Sequence, residues 1–219
     1  MRTIPKVFHQ IWFGPPMPVL YRRFAEDWAR MHPDWQMRLW TETNLPTLRN
    51  QHLFDRAAEL CPNHIGQLQS DILRLEVLYE YGGVYLDTDF EPKKSIDELL
   101  RGIECFAAWV TPGVWINNAF MGAVAGHPFI KRLIDGLPAS IKANPGKPPR
   151  KVSGPQYLTK MWKQAPDGMF LFDAELFYPY SWDELDRDGE EFPNAYAVHV
   201  WNNQRRERNL ALPERPERP

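Results

Sequence analysis

At 219 residues the chain is long enough for one well-cored domain and short for two. Hydrophobic residues make up 43%, charged ones 25% and aromatics 13% with nine Trp, an excess that suits both a packed α/β core and a sugar- or base-stacking cleft. A formal charge of -2 and a pI near 6.3 give no support for a dedicated nucleic-acid binder, and two cysteines, Cys61 and Cys105, suit a reducing cytoplasm better than a disulfide framework.

The opening segment MRTIPKVFHQIWFG lacks the continuous apolar stretch of a signal peptide or anchor, and no run of about 18 apolar residues occurs in the chain. A cytoplasmic location with at most peripheral membrane contact is the expectation. Residues 4–13 read as a strand, stopped by Gly14-Pro15-Pro16. Leu20, Phe24, Trp28 and Met31 share one face of a predicted helix, and Trp35 to Trp40 alternates as a second strand, a βαβ opening that favours an α/β domain. The clearest helix runs over 62–81, with Ile65, Leu68, Ile72, Leu75, Leu78 and Tyr79 as its expected buried stripe. Gly82-Gly83 ends it where positive φ is needed. Val84-Tyr85-Leu86 then forms a short strand. Further along come a short helix over 96–100, strands over 106–110 and 119–124, and a helix over 127–137. KANPGKPPRK at 142–151 has four basic residues and no acidic one, and reads as an exposed, mobile loop. A helix over 156–163 and a last strand over 196–201 complete the elements. No repeat or linker divides the chain, so one domain spans 1–204, followed by a polar, Pro-rich tail over 205–219 whose end is expected to be disordered.

The informative triplet is Asp87-Thr88-Asp89, delivered at the carboxyl end of the strand over 84–86, where open α/β sheets bind ligands. Side chains two apart on extended chain point the same way, so both carboxylates can face one ligand. Two hard oxygen donors suit Mg²⁺ or Mn²⁺, which would act as a Lewis acid toward a departing diphosphate. Asp71 and Arg74, three apart on the helix, share a face, and Arg forms bidentate bonds to phosphate or vicinal hydroxyls. Taken alone, the triplet reads first as a polar turn after a strand and the Asp71–Arg74 pair as a surface salt bridge.

The whole run SDILRLEVLYEYGGVYLDTDF at 70–90 resembles the signature of glycosyltransferase family 32, the D-x-D sugar-binding enzymes, and is similar to the glucosyltransferase domains of large clostridial toxins. IPKVFHQIWFG, HPDWQMRLW, NNAFMGAVAGHPF, SGPQYLT and AVHVW agree in order, so the resemblance covers residues 4 to about 201. It implies a GT-A fold: a single Rossmann-like nucleotide-binding domain with a mixed central sheet. It also implies retaining transfer of a hexose from a nucleotide-sugar, a UDP-sugar ahead of a GDP-sugar, to a saccharide, lipid-linked or protein acceptor. By the same resemblance Trp12 stacks on the nucleobase beside Ile11, Asp71 and Arg74 contact the donor, Tyr85 lies near its phosphates, and Asn117 and Asn118 approach the sugar or the acceptor. Asp87 holds sugar hydroxyls and touches the metal, Asp89 binds it directly, and His199 completes the metal sphere, with catalysis resting on Asp87, Asp89, Asp71 and Arg74. The later Ser-Trp of the family is replaced here by Asn202-Asn203-Gln204, a departure at the loop that contacts the diphosphate.

Bacterial surface-polysaccharide assembly is the expected setting, and a toxin-like effector or a non-catalytic sugar- or nucleotide-binding module are the alternatives. A glycoside hydrolase built on Asp87 with Asp89 or Glu91 would need neither nucleotide nor metal.

Overall fold

The computed structural model describes residues 2–213 and 215. β1 (Val7–Ile11), α1 (Val19–Met31) and β2 (Gln36–Trp40) form the expected βαβ opening. Two short helices that periodicity did not reveal, α2 (Gln51–Asp55) and α3 (Ala57–Leu60), precede α4 (Ile65–Tyr81). The chain continues through β3 (Gly83–Leu86), β4 (Phe90–Pro92), β5 (Cys105–Thr111), β6 (Trp115–Ala123), α5 (Pro128–Ala143), α6 (Pro149–Val152) and α7 (Pro155–Lys163). It ends with β7 (Phe170–Phe172), β8 (Ala197–His199) and α8 (Asn202–Glu207). The central sheet has the order β2-β1-β3-β6-β5-β7 and is mixed, because β6 runs antiparallel to both of its neighbours while the other pairings are parallel. β4 and β8 form a separate two-stranded ribbon.

Alternation along β3 divides the core between the two faces of this sheet. Val84 and Leu86 join Phe8, Trp28, Phe106 and Phe120 on one face, whereas Tyr85 joins Leu68, Ile72, Leu133 and Tyr157 on the other. The Phe8 ring stacks on Trp35 at 4.3 Å and packs against Trp28 at 5.1 Å, so much of the aromatic excess is core.

α4 departs from the amphipathic expectation. It packs against the sheet, α5 and the α2–α3 pair, so every residue from Asp71 to Leu78 is buried, charged ones included. Ile65 is 39% exposed and Tyr79 only partly buried, since both lie outside that enclosed stretch. Residues 97–100 form turns rather than the expected helix over 96–100, with Leu100 N–H donating to Ile96 O at 3.2 Å. The segment 142–151, expected as one exposed loop, divides: α6 buries Pro149 and Val152, whereas Lys142, Lys147, Arg150 and Lys151 stay at the surface. The expected boundary at residue 204 falls inside α8, where Arg205 is buried and its Nε donates to Val200 O at 2.7 Å. The disorder expected at the very end concerns residue 214 and residues 216–219, which lie outside the described residues. Cys61 and Cys105 are both free and buried. Among the described residues no helix is long and apolar enough to cross a membrane.

Candidate functional site

The site begins at the break between α4 and β3. Gly82 caps α4 at φ 65° and Gly83 follows at φ 99°, a sequence of left-handed conformations that only glycine adopts without strain. At Gly83 a Cβ would also lie 2.6 Å from Val7 O, so β1 and β3 approach closely because no side chain intervenes. β3 then runs parallel to β1 with His9 opposite Tyr85, and its end delivers Asp87, whose N–H donates to Ala119 O at 2.8 Å.

Tyr85 and Asp87 face α4. There the Arg74 guanidinium lies over the Tyr85 ring at 4.4 Å and donates to Asn118 O at 2.7 Å. Its Nη2 is 3.3 Å from Asp71 Oδ1 and 3.4 Å from Asp87 Oδ1. Tyr85 Oη donates to Asp87 Oδ1 at 2.5 Å, Asn118 Nδ2 to Asp71 Oδ1 at 2.8 Å, and Ser153 Oγ to Asp71 Oδ2 at 2.7 Å. Arg74 and Asp71 are therefore a buried pair held from β3, β6 and the α6–α7 junction, not a surface salt bridge. The Ser153 contact is one that residue spacing does not reveal, although SGPQYLT itself is visible in the sequence.

The second half of the site is made by β4 and β8. Their register pairs Phe90 with His199, which sets the imidazole beside Asp89, Nε2 donating to Asp89 Oδ1 at 3.0 Å. The ring stacks on Phe90 at 4.5 Å, with Trp201 edge-on at 4.2 Å. Trp201 has φ 57°, an uncommon conformation for a bulky residue, and this turn aims the Asn202 N–H at Asp89 Oδ2, 2.9 Å away. Because the donor is backbone, the Asn-Asn-Gln departure at 202–204 leaves this contact intact.

The two aspartates are pushed in opposite directions. Burial raises the pKa of Asp87, with Arg74 opposing and the Asp89 charge adding. For Asp89 burial acts the same way but is outweighed by the charge and hydrogen bond of His199 and by the Asn202 amide, so its carboxyl is held below the ordinary value. One ligand atom from each of Asp87, Asp89 and His199 lies within 4.8 Å of the other two. The Asp87 side chain keeps 31% exposure, and His199 Nδ1 is buried without a hydrogen-bond partner. Two carboxylates and an imidazole nitrogen brought this close fit a divalent cation such as Mn²⁺ or Mg²⁺, which neutralises the repulsion between the aspartates and is bound by oxygen donors first.

The remaining predicted residues lie nearby. Ile11 and Trp12 end β1 at the level of Asp87, by extension of the β1–β3 register. Ile11 is packed in the α4-side core. Trp12 is half-buried, its Nε1 donating to Pro15 O at 2.5 Å and its ring edge-on to Tyr21 at 6.0 Å. Asn117 turns inward, its Oδ1 accepting from Ala119 N–H at 3.0 Å. Tyr21 was not anticipated. Its hydroxyl is buried without a partner, and its pKa is raised by burial first and the Asp89 charge second.

Residues 18–105 match the family described as "Glycosyltransferase sugar-binding region containing DXD motif". Inositol phosphoceramide mannosyltransferase 3 of Schizosaccharomyces pombe is 31% identical over 217 residues, 92% of this chain and 56% of its own. Lactosylceramide 4-alpha-galactosyltransferase of Homo sapiens is 29% identical over 157 residues, 61% of this chain and 41% of its own. The chain thus spans about half the length of such relatives. Among solved structures, PaToxG Glycosyltransferase superposes with a TM-score of 0.61 at 20% identity, covering 74% of this chain and 70% of that one. The galactosyltransferase LgtC, solved with donor and acceptor sugar analogs, gives 0.52 at 9% identity, covering 88% and 86%. Over residues 18–105 the chain carries the sugar-binding region of the DXD glycosyltransferases of family 32, and it has the GT-A fold.

Proposed function

We propose that this chain transfers a hexose from a nucleotide-sugar to the head group of a lipid-borne acceptor, with retention of configuration and with help from a divalent cation. The observation that carries the proposal is the convergence of Asp87, Asp89 and His199 at the end of β3, beside the buried Asp71–Arg74 pair. Bound there, Mn²⁺ or Mg²⁺ supplies Lewis acidity to the leaving diphosphate.

The chain's own residues do the rest. Asp71 is fixed by Ser153 and Asn118, so it accepts hydrogen bonds from sugar hydroxyls without reorganising. Arg74 lies between Asp71 and Asp87 and stabilises negative charge that develops at the donor. Trp12, at the end of β1, is the candidate for stacking on the base. Relatives named for sphingolipid acceptors favour a lipid head group over the surface-polysaccharide precursor expected from the sequence. One relative is named for an α-linkage, which retention produces from an α-linked donor.

The test is nucleotide release from a panel of UDP- and GDP-sugars, with Mn²⁺ or with EDTA, comparing the native chain with Asp89→Asn. Metal-dependent release of one nucleotide, lost in the variant, is expected and names the donor. Nucleotide binding that neither turns over nor responds to Mn²⁺ or to Asp89→Asn would replace this reading with a binding module.

A further inference from the structure

Charge on this molecule is unevenly placed. Residues 136–166 contain no acidic residue but six basic ones: Lys142, Lys147, Arg150, Lys151, Lys160 and Lys163. All six are exposed, and among the described residues none of them forms an ion pair, unlike Lys131 with Asp135 or Arg101 with Glu98. Residues 106–126, the β5–β6 hairpin and its flanks, carry no charged residue at all. Its tip leaves Val114 46% and Trp115 38% exposed.

Topology brings these two segments together beside the site. β6 is antiparallel to β3 with Phe120 opposite Leu86, so residues before Ala119 run past the level of Asp87 and the hairpin tip overhangs the carboxyl ends of the strands. α7 lies along β6, Thr159 Oγ1 accepting from Ile116 N–H at 2.9 Å, and Trp162 meets Trp109 of β5 edge-on at 5.4 Å. α6 leads directly into Ser153, the residue bonded to Asp71. One face therefore combines an uncharged tip bearing Val114 and Trp115, half-buried Trp109 and Trp162, and a basic band on α6 and α7, and it borders the Asp71 end of the site.

We infer that this face docks on an anionic lipid surface, with Trp115 at the interface and the α6–α7 bases over the head groups. Trp favours the membrane interface because its ring is apolar and its N–H polar, and long basic side chains reach anionic head groups while their stems cover apolar surface. The geometry then places the Asp71 end of the site over the membrane, where a lipid-borne acceptor presents its head group. This inference rests on the lipid-acceptor reading above, but a separate measurement tests it.

The experiment is co-sedimentation of the full chain at low salt with vesicles of phosphatidylcholine alone or mixed with phosphatidylserine, whose head group carries no sugar and so does not imitate an acceptor. Binding to the mixed vesicles and not to the neutral ones is expected, weakened by salt. Lys160→Gln/Lys163→Gln should weaken it about 30-fold, the combined effect of two bases near a charged surface. Trp115→Ser should weaken it further, with thermal stability and nucleotide release in solution unchanged in both variants. A chain that stays in the supernatant, binds neutral vesicles equally, or binds undiminished after the double substitution overturns the proposal, as does a preference for an acidic protein over the vesicles. Asp89→Asn should pellet like the native chain, so failure of the transferase reading would appear in nucleotide release and failure of docking in sedimentation.

Discussion

Asp71 is a carboxylate held in place by its neighbours, and the cost of loosening it is predictable. Ser153 Oγ supplies its only bond from the α6–α7 junction, at 2.7 Å. Ser153→Ala removes one charge-assisted hydrogen bond of about 1.5–3 kcal/mol, so kcat/KM should fall roughly 10- to 100-fold. Ser153→Thr should restore most of it. An unchanged kcat/KM in the alanine variant would show that Asn118 and Arg74 position Asp71 unaided. His199 offers a second test. His199→Ala deletes a donor from the Asp87–Asp89 cluster and the partner that holds Asp89 ionised, so Mn²⁺ affinity, read by thermal shift or calorimetry, should drop by about 10- to 100-fold. Equal affinity would place the imidazole outside the metal sphere.

Between elements, the α4–β3 junction and two buried histidines set how the sheet is assembled. Gly83→Ala imposes a side chain at φ 99° and drives a Cβ against Val7 O, which is backbone and cannot swing aside. The loss should exceed about 3 kcal/mol, or roughly 6–12 °C in Tm for a domain of this size. A Tm within about 2 °C of the native chain would mean that β1 can yield.

His9 lies between β2 and the junction. Its Nδ1 accepts from Trp40 Nε1 at 3.0 Å, and Nε2 must donate to Gly82 O at 2.8 Å. One nitrogen has to accept, so the ring is neutral, and burial lowers its pKa from 6.5 to about 4. His32 is built alike: Nδ1 donates to Trp28 O, Nε2 accepts from Ile96 N–H, and its pKa is also lowered, by burial first. The sign follows from linkage. The unfolded chain takes up these protons first, so stability is fully present above pH 6.5 and is lost as pH falls toward 4. His9 alone removes about 3 kcal/mol over that window. Urea midpoints at pH 7.5 and pH 5 check this, and a flat profile would refute the neutral assignment.

At the scale of the whole molecule, the segment after β8 closes the fold. Arg215 donates to Glu91 Oε2 at 2.8 Å and to both oxygens of Asp188, at 2.8 and 3.2 Å, joining the chain's far end to the strand that follows Asp89. Glu91 and Asp188 have side chains only 5% and 10% exposed, so Arg215→Ala leaves buried carboxylates short of a partner. A loss of about 1–3 kcal/mol, some 2–12 °C in Tm, is expected by scanning calorimetry. An unchanged Tm would show that Lys93 and Arg205 suffice.

This long-range assembly also separates what was legible in the chain from what was not. The βαβ opening, the long helix (expected over 62–81, found over 65–81), the Gly-Gly turn and the aspartates at a strand end could all be read, because periodicity, positive φ and strand polarity are local properties of neighbouring residues. Asp71 and Arg74 could be read as sharing a face, but their burial could not, since it depends on α5, α2 and α3 packing around α4. The Ser153–Asp71 contact, the approach of His199 to Asp89 and the Asn202 amide span 82, 110 and 113 residues, and no spacing rule reaches so far. The amide carries no residue identity at all, and α2, α3 and β4 are too short to show a period. Local chemistry thus fixed which groups are present and roughly where the longer elements lie. Packing alone determined which of them meet, how deeply they are buried and in which direction each aspartate titrates, because desolvation and through-space charge depend on neighbours that only the folded chain brings together.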